Sequence, residues 1–151
     1  MSVEFIDFLP ESNIIALNGK NKKQVIDELI DFAAKNKSIN KKDLDKAIWD
    51  RENQLSTAIG HGIAVPHARI QGIDEPIVIL GISSEEIADY TGIDKVPVSL
   101  VFLIISGDEN HQLYLDILRS VSHSLFDDKE LIKAIVRDKN DHKKVVELLK
   151  K

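Results

Sequence analysis

The chain has 151 residues, 43% apolar and 30% charged, with a net charge of −5 and no cysteine. That size and balance fit a single globular domain over residues 1–151 with an ordinary core, not a disordered chain. The acidic balance argues against nucleic acid or an anionic membrane as the main partner. The lack of cysteine excludes a disulfide framework, a thiolate zinc site and a cysteine nucleophile. The N-terminus has no basic segment followed by an apolar signal core, and no apolar run is long enough to span a bilayer. A cytoplasmic location without direct membrane insertion is the expectation.

The first apolar cluster, Phe5, Ile6, Phe8 and Leu9, stops at Pro10 and predicts a short packed helix. Asn13 to Leu17 reads as a strand closed by the turn pair Asn18-Gly19. A helix opens at Lys20 or Asn21, with Val25, Ile26, Leu29, Ile30 and Ala33 at helical spacing. A second begins near Lys41 with Leu44, Ala47 and Ile48 as its stripe, continues through Trp49 as a packing residue, and closes at Arg51 and Glu52.

The stretch Thr57 to Arg69 reads as a shaped loop. Gly60 and Gly62 bracket His61 and permit positive φ. Ile63-Ala64-Val65 is too short for a helix and reads as a strand edge. Pro66 extends the residue before it, so His67 is presented on a stiff support at a rim. An imidazole held there serves as a base, a metal ligand or a covalent nucleophile. For a phosphoryl electrophile, turn N–H groups, Arg51 and Arg69 are candidates to receive the oxygens.

The β-branched run Ile77 to Ile82 predicts a strand buried on both faces. Ser83 to Gly92 reads as a polar loop with Glu85, Glu86 and Asp89 as a surface cluster, and Val96 to Ile105 as a second strong strand. Asp108 is a candidate N-cap for a helix with His111 in its first turn and Leu115, Leu118, Val121, Ser122 and Leu125 on its inner face. Two further helices follow, carried by Leu131, Ile132, Ile135 and Val136, and by Val145, Val146, Leu148 and Leu149 behind Asp141. Strands alternating with helices indicate an α/β layer fold.

Arg51-Glu52, Ser56 to Ile59, and Gly62-Ile63-Ala64-Val65-Pro66-His67 together resemble the signature of the fructose/mannitol-type enzyme IIA family of the bacterial phosphotransferase system, whose nitrogen-regulatory branch shares it. The Pro97 to Leu103 strand and the helix before Asp127-Asp128 also fit, so the resemblance covers nearly the whole chain. It implies a three-layer α/β/α sandwich with a mixed β-sheet, and a phosphotransferase component with a phosphohistidine intermediate. His67 would accept a phosphoryl group from the histidine-containing phosphocarrier protein and pass it to a cysteine on the IIB domain or subunit of a sugar permease. Arg51 matches the family arginine that holds the phosphoryl group. The family's second histidine falls on His111 or on Tyr114, depending on whether the acidic lead-in or the helix stripe sets the alignment. Thr57, His61 and Tyr114 are expected to line the site, and Ile59 and Ile63 to form an apolar docking ring. The scheme needs no cofactor and no metal.

Two other readings use the same residues. In one, the phosphorylated domain regulates a transporter, a kinase or another partner instead of feeding a permease. In the other, His61, His67 and His111 serve a metal-dependent hydrolase, although two histidines six apart do not make the helical i, i+4 zinc pair.

Overall fold

The computed structural model describes residues 3–109, 111–126 and 128–150. Two 3-10 turns, Phe5–Phe8 and Glu11–Asn13, lead into β1 (Ile14–Leu17), α1 (Lys22–Asn36) and α2 (Lys41–Gln54). Three short strands follow, β2 (Ala58–Gly60), β3 (Ile63–Ala64) and β4 (His67–Arg69), then the long β5 (Ile77–Ile87) and β6 (Val98–Ser106). The chain closes with α3 (His111–Leu125), α4 (Lys129–Arg137) and α5 (His142–Leu149).

The strands form one mixed six-stranded sheet in the order β1-β5-β6-β3-β2, with β4 also pairing to β6. β5 and β6 are antiparallel, whereas β3 and β4 run parallel to β6 one after the other along its far edge. Alternation along the two long strands sends apolar side chains to both faces. Val78, Leu80, Ile82, Leu100, Phe102 and Ile104 pack with residues of α3, α4 and α5. Ile79, Val101, Leu103 and Ile105 pack with α1 and α2. The result is the α/β/α sandwich that the family resemblance implies. Local signals set the helix starts: the side chains of Asn21, Asn40, Asp128 and Asp141 each accept from a backbone N–H three residues on. Trp49 ties α2 to α1 by donating its indole N–H to Asp27 at 3.1 Å.

Four expectations from the sequence are corrected. The segment read as a shaped loop from Thr57 to Arg69 holds, besides the expected strand edge at Ile63, two further short strands, because β3 and β4 join the edge of β6 and β2 pairs in turn with β3. The polar stretch after Ile82 continues β5 as far as Ile87. There the register against β6 shifts, from Ile82↔Leu100 to Ile87↔Val98, and Ser84, Glu85 and Glu86 are left exposed. Asp89 is exposed, as expected of the surface cluster, and also accepts the Lys22 N–H at the start of α1, at 2.8 Å. The helix α3 starts at His111, so Asp108 does not adjoin it; residue 110 lies outside the described residues. The buried face of α3 is Ile117, Ser120, Val121 and Leu125, with Leu115, Leu118 and Ser122 only half-buried.

The loop that precedes β6 is clamped on the hairpin. A Cβ at Gly92 would lie 2.5 Å from the Ala58 carbonyl oxygen, which is backbone and cannot step aside cheaply. Gly92→Ala is therefore expected to destabilise the fold by roughly 1–3 kcal/mol, a typical overpacking cost, read as a lower urea midpoint with an unchanged slope.

Candidate functional site

Position on the sheet brings the site together. His67 opposes Ile104 and Arg69 opposes Ser106 in the parallel β4–β6 ladder. Alternation turns Ala68 into the core beneath α1 and α2, and so turns His67 and Arg69 to the α3 side. Ser106, two residues beyond Ile104, faces the same way. The Pro66 carbonyl accepts from Ile104 N at 3.0 Å, anchoring the chain just before the histidine. Among the described residues β4 pairs only with β6, while β2 pairs with β3, so no described strand covers the edge that carries His67.

The His67 imidazole is half-buried and held on two sides. Its Nε2 lies 3.1 Å from the buried Ser106 hydroxyl. The Tyr114 ring stacks on it, with centroids 3.7 Å apart and planes 14° from parallel. His111 lies one turn earlier on α3, its ring 6.0 Å from that of Tyr114. Arg69 Nη2 contacts His111 Nδ1 at 2.9 Å. A guanidinium can only donate, so Nδ1 accepts and the ring proton of a neutral His111 sits on Nε2. The structure thus brings both readings of the second position, His111 and Tyr114, to the same place.

Arg51 enters from the last turn of α2, where its Nη1 donates to the Leu55 carbonyl at 2.7 Å. It makes no hydrogen bond to His67 among the described residues, but its charge acts on both His67 and Tyr114. Burial is the largest cause that lowers the His67 pKa from 6.5 to about 4, followed by the neighbouring Arg69, His111 and Arg51. The imidazole therefore stays neutral, with a lone pair available, in surroundings that favour an arriving anion. Burial raises the Tyr114 pKa above its ordinary value, which keeps the phenol protonated.

Two expected site residues lie elsewhere. His61 occupies the β2–β3 turn with φ +58° and packs on Phe126 at 4.4 Å, while its backbone N–H donates to Asp94 at 2.8 Å. Gly62 beside it bonds to Ser99 and Leu100 of β6, whereas His67 pairs at Ile104. Those positions are roughly 13 Å apart along a strand. His61 therefore does not line the His67 site, and the three histidines of the hydrolase reading do not converge. Thr57 is 3% exposed and its hydroxyl is committed to Glu52 and Tyr90, so it cannot face a phosphoryl group. Nor do Ile59 and Ile63 make an apolar ring, since Ile63 is fully buried and Ile59 packs half-buried against the core. Ser106 was not anticipated, because only the strand register reveals which residue sits beside His67.

Residues 7–151 match the family model described as phosphoenolpyruvate-dependent sugar phosphotransferase system, EIIA 2. The chain belongs to this EIIA family. It is 34% identical over 126 residues to the fructose-specific EIIABC component of Bacillus subtilis, a match that covers 81% of the chain but only 20% of that longer protein. It is 35% identical over 109 residues to the fructose-specific EIIA component of Haloferax volcanii, covering 69% of the chain and 68% of that relative. Its fold is that of the nitrogen regulatory protein IIA-Ntr from Neisseria meningitidis, with a TM-score of 0.82 at 23% identity over 95% of this chain and 97% of that one. Among the described residues no helix is long and apolar enough to cross a membrane.

The depressed His67 value links this EIIA site to stability. In the folded state the ring protonates near pH 4, in the unfolded chain near 6.5, so between those values the unfolded state binds the extra proton. The contribution is complete above pH 6.5 and is lost as the pH falls towards 4. It amounts to roughly 3–3.5 kcal/mol. His67→Gln, which cannot titrate, is expected to flatten the fall of unfolding free energy between pH 6.5 and 4 by up to ~1.4 kcal/mol per pH unit, measured by urea unfolding across that range.

Proposed function

We propose that the chain is a phosphocarrier that takes a phosphoryl group on His67 from the histidine-containing phosphocarrier protein and hands it to a cysteine of a IIB domain serving a sugar permease in the cytoplasm. One observation supports this reading above the others. A neutral, half-buried imidazole stands at an uncovered sheet edge, fixed by Ser106 and Tyr114 and surrounded by Arg69, His111 and Arg51. Such a site positions a nucleophile and receives charge on equatorial oxygens, which is most of what phosphoryl transfer asks of a protein.

In the loading step the lone pair of His67 forms an N–P bond while the P–N bond of the partner's phosphohistidine breaks in line. The released imidazole of the partner recovers its lone pair. The exchange is nearly symmetric, so it needs little driving force. In unloading, a thiolate forms an S–P bond as the His67 N–P bond breaks. Arg69 and Arg51 supply positive charge to the non-transferring oxygens, and the Ser106 hydroxyl is placed to hydrogen-bond the ring or an oxygen attached to it. The Bacillus relative, named an EIIABC component, supports a IIB acceptor, and the two fructose-specific relatives support sugar uptake as the destination.

The 30% identity to the nitrogen regulatory protein of Bradyrhizobium diazoefficiens supports a second role on the same chemistry, in which the phosphorylated domain controls a transporter or kinase. Transfer of label to a IIB domain separates the two.

Incubation with phosphoenolpyruvate, enzyme I and the phosphocarrier protein is expected to place acid-labile phosphate on His67. His67→Ala takes no label while its circular dichroism stays native; a labelled His67→Ala protein overturns the reading. Arg51→Ala is expected to slow labelling by about 10- to 100-fold, the scale of losing one charge-stabilising group, with its melting temperature nearly unchanged. Transfer at the wild-type rate would remove Arg51 from the site.

A further inference from the structure

Next to Arg51 in sequence stands Glu52, which is 4% exposed yet carries a carboxylate. A buried carboxylate is costly unless every lone pair is used. Here Oε2 accepts from the Thr57 backbone N–H at 2.9 Å and from the Lys22 ammonium at 2.8 Å. Oε1 accepts from the Thr57 hydroxyl at 2.6 Å, with the Tyr90 hydroxyl 3.3 Å away. Lys22 also sits 5.0 Å above the Tyr90 ring. The network is charge-neutral as a whole and joins the start of α1, the end of α2, the entry to β2 and the loop before β6.

What it holds is the corner between α2 and the hairpin. Arg51 grips the Leu55 carbonyl from one side of that corner and Glu52 grips Thr57 from the other. The Thr57 carbonyl in turn accepts from Val65 N at 3.0 Å, two residues before His67. A continuous run of bonds therefore leads from the buried carboxylate to the strand that presents the nucleophile, while the same corner aims the guanidinium of the neighbouring arginine. Nothing in the network touches the imidazole.

We infer that Glu52 is a positioning residue for phosphoryl transfer: its carboxylate locks Thr57 so that Arg51 and His67 keep their relative placement when the phosphoryl group arrives. This rests on the phosphocarrier reading above. Glu52→Gln keeps the shape but removes the charge: its amide oxygen can still accept from the Thr57 N–H and from Lys22, whereas its amide nitrogen can only donate, so the Thr57 hydroxyl must turn from donor to acceptor and the Lys22 ammonium loses its charged partner.

The test compares wild type, Glu52→Gln and Val145→Ala, the last a core truncation in α5 that lowers stability without approaching the site. Each is assayed below its melting transition for label uptake from phosphoenolpyruvate through enzyme I and the phosphocarrier protein. Glu52→Gln is expected to lower the maximal rate about tenfold and leave the half-saturating concentration of phosphocarrier protein within about twofold, because docking surfaces are untouched and only alignment is lost. Val145→Ala is expected to keep the wild-type rate. Folded Glu52→Gln labelling as fast as wild type overturns the inference, as does an equal loss in Val145→Ala. If Glu52→Gln does not fold, Thr57→Val, which loses the hydroxyl contacts to Glu52 and Tyr90 but keeps the backbone N–H, is expected to slow transfer about threefold, and an unchanged rate there overturns it. Wild-type protein that takes no label overturns the phosphocarrier reading and this inference with it; wild type and Glu52→Gln labelling equally overturn the inference alone.

Discussion

The parallel pairing of His67–Arg69 with Ile104–Ser106 is the constraint on which the site depends. Because side chains alternate with a period of two, a slip of one residue along β6 would turn His67 beneath α2 and bring Ala68 to the surface. The register is guarded from both sides. Ile63 and Ala64 are already paired to Leu100 and Val101 upstream, and Ile70 N continues the ladder by donating to the Ser106 carbonyl downstream. Pro66 bridges the two short strands with its φ fixed and no N–H of its own to satisfy. A residue on a free loop would lose alignment with every fluctuation, whereas His67 is held by pairing to the buried strand β6.

Charge is arranged around that strand in two zones. On the α3 side lie cations and a neutral imidazole, a combination that costs little at rest and becomes favourable when an anion arrives. On the α2 side, the carboxylate of Glu52 is sealed in with donors and cannot pair with Arg51 or compete for its guanidinium. Adjacent residues of opposite sign on one helix are thereby kept apart, one buried and satisfied, the other left able to act across the sheet edge. A surface ion pair between them would have weakened the field that His67 feels.

Much of the fold could be read from the chain. Asn21 and Asp141 marked two helix starts, and the β-branched runs marked β5 and β6, because these signals are local. The Ala-Val-Pro-His segment marked the histidine that the proposed function rests on for the same reason. What depended on register could not be read. Ser106 looks like the end of an ordinary strand until it is placed beside His67, and Ile63 looks like a rim residue until β6 buries it. His61 sits six residues from His67 in sequence but belongs to the opposite end of the same pairing. Glu85 and Glu86 have the composition of a loop although the backbone beneath them stays extended, since only their outward faces are polar. Glu52 read only as a helix-ending residue, and its burial went unseen, because its partners Lys22 and Tyr90 are 30 and 38 residues away.

The stacked Tyr114 ring has a consequence for traffic through the proposed site. Tyr114 covers one flat side of the imidazole, and in the proposed scheme donor and acceptor both use the same ring nitrogen. Donor and acceptor must then come in turn, each leaving before the next arrives. Excess of either should crowd out the other, so throughput would peak when loaded suppliers and empty receivers are evenly matched. On such a relay the protein behaves as a turnstile, metering flow by how quickly its guests depart.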